Sequence, residues 1–290
     1  MDELFFSKYE GAGNDFIAID QTSSGAALST GQLLRMCNRK TGIGADGVLE
    51  LRQSHVTGCS FRLVYYNADG REGSLCGNGA RCSLAFAQNL GFIQLDSRNQ
   101  QVTFEACDGA HKGGVLEDGQ FFVDMRNVAV ADITHVDKDS YFLDNGSPHH
   151  VTFVRDLADA DVVHKGRELR WGTYGETGAN INFAEAESNS RGSRLTVRTY
   201  ERGVEDETLA CGTGACASAI AAHVRHQNVL SSPRISDEEG EFPMMKTRVS
   251  MKGGTLEVQF KLENNTYTDI RLCGPARHVY DGKISIANLS

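Results

Sequence analysis

Short runs of β-branched and aromatic residues, bounded by Gly, Asn or Asp, recur along most of this chain. They predict strands at Phe5 to Tyr9, Phe16 to Asp20, Gly47 to Leu51, Phe61 to Asn67, Gln101 to Ala106 and Phe121 to Met125. The habit returns at His150 to Val154, Ala179 to Ala184, Arg194 to Tyr200, Lys246 to Met251, Leu256 to Phe260 and Thr268 to Cys273. Helical patterning is confined to Ser29 to Arg39, Ala80 to Leu90 closed by Gly91, Asp156 to His164, and Thr213 to Gln227. Residues 80–90 and 213–222 are apolar on nearly every face, the mark of a buried helix rather than a solvent-facing one. The predicted class is α/β of the α+β kind: two pseudo-symmetric domains, each a curved, mostly antiparallel sheet or barrel around a central helix. Ala110 to Gly119 turns Gly-rich and acidic between two strand-like runs and is expected to be the linker, with the second domain covering 119–274.

The two buried helices open alike. Leu75-Cys76-Gly77-Asn78-Gly79-Ala80-Arg81 and Ala210-Cys211-Gly212-Thr213-Gly214-Ala215-Cys216 each set one cysteine just before a Gly-x-Gly-Ala turn, about half the chain apart. The first turn of a helix leaves amide N–H groups without intrahelical partners and carries roughly half a positive charge, so a thiolate or a carboxylate is stabilised there. Gly77, Gly79, Gly212 and Gly214 let a ligand approach the backbone closely. Two such starts acting together would hold one carboxylate and present a sulfur to each face of the neighbouring carbon. Inversion at an amino-acid α-carbon needs that pair: a base on one face, an acid on the other. Cys76 and Cys211 are therefore the candidate catalytic residues. Cys37, Cys59, Cys82, Cys107, Cys216 and Cys273 are read as structural.

Composition narrows the alternatives. Eight cysteines in 290 residues, with no Cys-x-x-Cys pair, point to thiols rather than a disulfide scaffold or a zinc ribbon. A net charge of −9 argues against a broad nucleic-acid surface. The start, Met1-Asp2-Glu3-Leu4-Phe5-Phe6, lacks the basic and apolar regions of a signal peptide, and no apolar run reaches membrane-spanning length. A cytoplasmic protein without membrane or nucleic-acid partners is expected. Gly42-Ile43-Gly44-Ala45-Asp46-Gly47 matches a dinucleotide-binding pattern in letters only, since it leads into a strand instead of a helix. His149-His150 and His223-x-x-His226 lack companions at metal-site spacing, so no metal is expected. No cofactor is expected either, because two cysteines make a pyridoxal group unnecessary.

The chain resembles the diaminopimelate epimerases, cofactor-independent enzymes that invert one α-carbon of LL-2,6-diaminopimelate to give the meso isomer. The resemblance rests on Gly11-Ala12-Gly13-Asn14-Asp15-Phe16, Gly42 to Gly47, Asn67-Ala68-Asp69-Gly70, Cys76 to Cys82, Ser147-Pro148-His149, Asn180-Ile181-Asn182-Phe183, Tyr200-Glu201-Arg202-Gly203 and Leu209 to Gly214, in that order. It implies a two-cysteine mechanism on a diamino dicarboxylate in lysine and cell-wall precursor synthesis, in a possible homodimer. It implies further that Gly77, Asn78, Gly212 and Thr213 hold the reacting carboxylate. Asn14, Asn67, Asn180 and Arg202 would bind the distal end, with Glu201 and His149 holding ammonium groups or tuning the thiols. Residues 275–290 would return to the first domain, completing 1–118. Two positions depart from the pattern: Gly47 stands where many members have Gln, and Ser147 where many have Asn. The competing readings are a related racemase for proline, hydroxyproline or histidine, or a non-catalytic anion-binding or thiol-redox protein.

Overall fold

A computed structural model describes residues 3–23, 27–95, 100–187, 193–227 and 242–289. The chain divides into two compact units, Met1–Val123 with Gly274–Ser290, and Asp124–Cys273.

The first unit contains β1 (Glu3–Gly11), β2 (Asn14–Asp20), α1 (Thr30–Cys37), β3 (Gly47–Arg52), β4 (Arg62–Asn67), α2 (Gly77–Asn89), β5 (Gln101–Ala106), β6 (Gly109–Val115), β7 (Phe121–Asp124) and, from the end of the chain, β18 (Arg277–Ser285). Its pairing order runs β18-β1-β2-β3-β4-β5-β6-β7; β2 with β3 and β4 with β5 are parallel, the other pairs antiparallel. Each parallel pair is bridged by a helix, as a crossover requires. Side chains alternate across the sheet. Phe16, Ala18, Leu49 and Leu51 pack with Ala80, Leu84 and Phe86 of α2, whereas Ile17, Ile19 and Val48 pack with Leu33 and Met36 of α1. Residues Gly77 to Ala87 of α2 are all buried.

The second unit contains β8 (Val128–Ala129), β9 (Thr134–Asp137), β10 (Ser140–Asp144), β11 (Pro148–Phe153), α3 (Val162–Glu168), β12 (Asn180–Ala186), β13 (Arg194–Glu201), β14 (Asp206–Thr208), α4 (Gly212–Gln227), β15 (Met245–Met251), β16 (Gly254–Glu263) and β17 (Thr266–Gly274). Its order is β9-β10-β11-β12-β13-β15-β16-β17, with β11–β12 and β13–β15 parallel and the rest antiparallel. The succession of parallel and antiparallel pairs is the same as in the first unit, and α3 and α4 occupy the crossovers that α1 and α2 occupy there. Each unit is thus a mostly antiparallel sheet around one buried helix, and the repeat extends from the cysteine motifs to the whole topology.

Some expectations are corrected. Ala110–Gly119 is no linker: it forms most of β6 and a turn, hydrogen-bonded between β5 and β7. Its glycines reflect close packing, since a Cβ at Gly113 would lie 2.6 Å from Leu84 Cδ1 of α2 and 2.9 Å from the Phe122 carbonyl oxygen. The helix expected at Asp156 to His164 is a 3-10 turn at Leu157–Asp159 followed by α3. The Asp161 carboxylate accepts the His164 N–H and sets the helix start there. Helix α2 begins at Gly77 rather than Ala80, with Cys76 as its N-cap.

Candidate active site

In the first unit the Cys76 backbone is extended at φ −95°, ψ 115°, its carbonyl accepts the Ala80 N–H at 2.7 Å, and its Sγ accepts the Gly79 N–H at 3.5 Å. The Gly77 and Asn78 amides come before the first intrahelical bond and are the ones left to meet a ligand. Cys76 is half-buried. Behind it runs a chain of hydrogen bonds with fixed direction. The fully buried Arg81 donates to Asn78 Oδ1 at 2.9 Å and to the Gly77 carbonyl at 3.3 Å. Asn78 Nδ2 donates to Asn14 Oδ1 at 2.6 Å, and Asn14 Nδ2 to Asp46 Oδ2 at 3.1 Å.

Asn14 is placed by the β1–β2 hairpin, whose two central residues, Ala12 and Gly13, have φ of 55° and 88°. Arg39 ties Asp46 to Asp15, and Lys8 also reaches Asp15 at 2.8 Å. Burial alone would raise the Asp15 carboxyl, but hydrogen bonds from Arg39 and Lys8 outweigh it and hold the group at about 2.

Asn67 ends β4, exposed, opposite Gly47 of β3. Its Nδ2 lies 2.8 Å from where a Cβ on Gly73 would stand. The Gly47 departure also has a structural cause. A Cβ there would lie 2.6 Å from Tyr65 Cε2 and 3.2 Å from Tyr65 Oη, so the Tyr65 ring occupies the space of a side chain at 47.

In the second unit Cys211 is 6% exposed, its carbonyl accepts the Ala215 N–H at 2.9 Å, and its Sγ lies 3.5 Å from Thr213 Oγ1. A Cβ on Gly214 would overlap Asn182 Oδ1 and come within 3.2 Å of Cys211 Sγ, so glycine is what allows Asn182 to abut the helix start. Asn145 Nδ2 donates to the Thr213 carbonyl at 2.8 Å. His149 pairs with Asn180 across the parallel β11–β12 ladder. Asn180 Oδ1 accepts the Arg202 N–H at 3.0 Å, and its Nδ2 donates to Ser147 Oγ at 2.9 Å, so Ser147 engages Asn180 directly. The Arg202 guanidinium donates to the Thr177 carbonyl at 2.9 Å. Glu201 accepts from Thr208 Oγ1 at 2.8 Å, and burial raises its carboxyl above the ordinary value. His149 is fully buried, and burial, reinforced by the Arg202 charge, pushes its imidazole down to about 3, so the ring is neutral.

The expected residues thus collect into two groups. Cys76, Gly77, Asn78 and Asn14 gather at the start of α2, with Asn67 ending β4 on the same unit. Cys211, Gly212 and Thr213 form the start of α4, and His149, Asn180, Glu201 and Arg202 lie on the strand ends of that unit. Sequence reasoning assigned no role to Arg81, Asn182, Thr199, Asn145 or Tyr65. Asn182 carried a usable signal, because Asn180-Ile181-Asn182-Phe183 alternates amides with apolar residues where both sheet faces are buried. Two of the thiols read as structural are pushed up by burial, Cys37 to about 11 and Cys82 to about 12, which keeps them protonated.

The diaminopimelate epimerase family pattern matches residues 6–130 and 141–279. The chain belongs to the diaminopimelate epimerase family. Relatives in this family include the diaminopimelate epimerase of Flavobacterium psychrophilum, 40% identical over 280 residues and covering 96% of this chain and 98% of that protein. The diaminopimelate epimerase of Chlorobaculum tepidum is 37% identical over 282 residues, covering 95% and 99%. Among solved structures, a phenazine biosynthesis protein of the PhzF family from Bacillus anthracis superposes with a TM-score of 0.69 at 16% identity, covering 98% of this chain and all of that one. A probable proline racemase from Agrobacterium radiobacter gives 0.66 at 12% identity, covering 97% and 93%. These structural likenesses extend the family's two-unit fold beyond its sequence relatives.

Proposed function

We propose that the protein epimerises LL-2,6-diaminopimelate to meso-diaminopimelate by two-base proton transfer between Cys76 and Cys211. The carrying observation is the pair of matched helix starts: in each unit of a repeated topology, one cysteine precedes the glycine-lined first turn of the buried helix. One thiolate removes the α-proton from one face of the carbon, and the other cysteine, as thiol, returns a proton to the opposite face. Negative charge then develops on the α-carboxylate, where the amides of Gly77, Asn78, Gly212 and Thr213 stabilise it. Arg202, with Asn14, Asn67 and Asn180, supports the reading of a second carboxylate at the distal end, since a guanidinium fork suits a carboxylate better than an ammonium does. Glu201 supplies the acidic partner for an ammonium group.

The same reading places the enzyme in the cytoplasm, serving lysine and cell-wall precursor synthesis; no described helix is long and apolar enough to cross a membrane. Self-association as a homodimer is included. Phe5 and Val279 are 69% and 55% exposed on the paired strands β1 and β18, apolar surface that a second copy would cover. Sedimentation giving only monomer at micromolar concentration would remove that part.

The decisive experiment is a substrate panel in deuterium oxide. LL- and meso-diaminopimelate should incorporate solvent deuterium at the α-carbon, while proline, hydroxyproline and histidine should not. Exchange into one of the latter, with none into diaminopimelate, would transfer the assignment to that amino acid. No exchange with any of them would leave an anion-binding or redox role.

A further inference from the structure

His149 Nε2, on β11, is buried and has no hydrogen-bond acceptor among the described residues. The other ring nitrogen decides what Nε2 can do. Asn182 Nδ2 lies 3.1 Å from His149 Nδ1, 2.9 Å from the His150 carbonyl oxygen and 3.3 Å from the Asn180 carbonyl oxygen. Its Oδ1 accepts from Thr199 Oγ1 at 2.9 Å. The two backbone carbonyls fix the orientation of this amide, because the reverse would set its oxygen against both of them. Asn182 therefore faces His149 with a donor, Nδ1 is the acceptor, and the single proton of the neutral ring sits on Nε2. The hydrogen bonds run one way, from Thr199 to Asn182 to His149, and end in a buried Nε2–H with no protein acceptor among the described residues.

We propose that Asn182 is a positioning residue that holds His149 as the neutral Nε2–H tautomer, a fixed hydrogen-bond donor to a carboxylate of the amino-acid substrate. The carboxylate partner rests on the epimerase reading; the tautomer does not. An N–H cannot receive a proton from an ammonium group, so of the roles expected for His149 the ammonium contact falls away. The neighbours favour an anion as well: Asn182 abuts Gly214 beside Cys211, and Arg202 lies close enough to act electrostatically on His149. A donor that does not titrate keeps its strength across the working pH range, which a second acid-base group at this position would not.

The test uses the whole enzyme labelled with 15N-histidine, with His149 assigned by the signals missing from His149→Gln. Two-bond nitrogen-proton correlations should show protonated Nε2 and bare Nδ1, unchanged from about pH 5.5 to 8. Saturation with meso-diaminopimelate should move the Nε2 proton downfield. In Asn182→Leu, if it folds, the ring should populate both tautomers and turnover should fall about tenfold, a spectral change that a merely structural role would not produce. A proton on Nδ1, or titration within that pH range, overturns the role of Asn182. An Nε2 proton unmoved in the saturated enzyme overturns the carboxylate contact. Failure of diaminopimelate to bind by calorimetry removes the epimerase reading and that contact together, while the ligand-free spectrum still decides the tautomer.

Discussion

The starts of α2 and α4 share a cysteine, two glycines and an alanine, yet they are backed differently. Five residues beyond Cys76 stands Arg81, a buried guanidinium bonded to the Gly77 carbonyl and to Asn78. Five residues beyond Cys211 stands Cys216, and the support there comes from neutral amides: Asn145 on the Thr213 carbonyl and Asn182 against Gly214. A repeated scaffold has thus been given a cation in one copy and an uncharged network in the other. The lesson is that duplicated geometry does not make the two thiols equivalent. On the proposed two-base reading the sulfurs exchange the roles of base and acid with the direction of reaction, and they do so in different surroundings.

The largest expected effect treats the copies alike. Cys76→Ala and Cys211→Ala should each lower kcat for epimerisation by about 10²-fold to 10⁴-fold, the range for a lost acid-base group. Near-normal turnover in either variant ends the two-base proposal.

The pH dependence of stability separates the units. His149 has a folded value of about 3 against 6.5 unfolded, so its contribution is full above pH 6.5 and is lost as pH falls towards 3. That loss is about 3 kcal/mol between pH 6.5 and 4. Asp15, at about 2 against 3.8, contributes fully above pH 3.8 and loses stability only below it. Its share is on the order of 1 kcal/mol, since Arg39 is largely exposed. Urea midpoints across this range should decline less steeply for His149→Gln from pH 6.5 downward, and for Asp15→Asn only below about pH 4. The same decline in both variants would refute the distinction.

Glycine substitutions at equivalent positions give a smaller contrast. A Cβ at Gly214 overlaps the amide of a hydrogen-bonded asparagine, whereas one at Gly79 meets Leu49 Cδ2, a movable methyl, at 3.0 Å. Gly214→Ala should cost about 2 kcal/mol and Gly79→Ala about 1 kcal/mol by denaturant unfolding. The smallest effect concerns the cation. Arg81→Gln should slow iodoacetamide alkylation of Cys76 several-fold and leave Cys211 unaffected, as read by peptide mass mapping. Equal slowing of both would mean that Arg81 acts on the fold rather than on one sulfur.

The two helix starts of the candidate site were legible because their signals are local. A cysteine before Gly-x-Gly-Ala and an apolar helix can be read from a few residues, and both central helices followed. Most long strands followed from their alternation, but β18, nine residues long, was not among those expected. What escaped was set by tertiary packing. The glycines of β6 read as loop, although Gly113 is small because Leu84 and the Phe122 carbonyl crowd it. Strands β8, β9 and β14 are too short to carry a period. Asn182 was passed over because an amide inside an apolar alternation gains meaning only when its partners, Thr199 from β13 and His149 from β11, are brought together. The space taken by Tyr65 at Gly47 is likewise visible only in three dimensions.

The antiparallel ladder between β1 and β18, from Glu3 with Ser285 to Glu10 with Arg277, orders events during synthesis. The unit spanning Asp124–Cys273 is continuous and can condense as soon as it leaves the ribosome, whereas the other, begun earlier, lacks an outer strand until Arg277–Ser285 has been made. Until then β1 offers a bare rim of amides and carbonyls to any passing strand, so a nascent chain stalled before Arg277 is the species most in need of a chaperone.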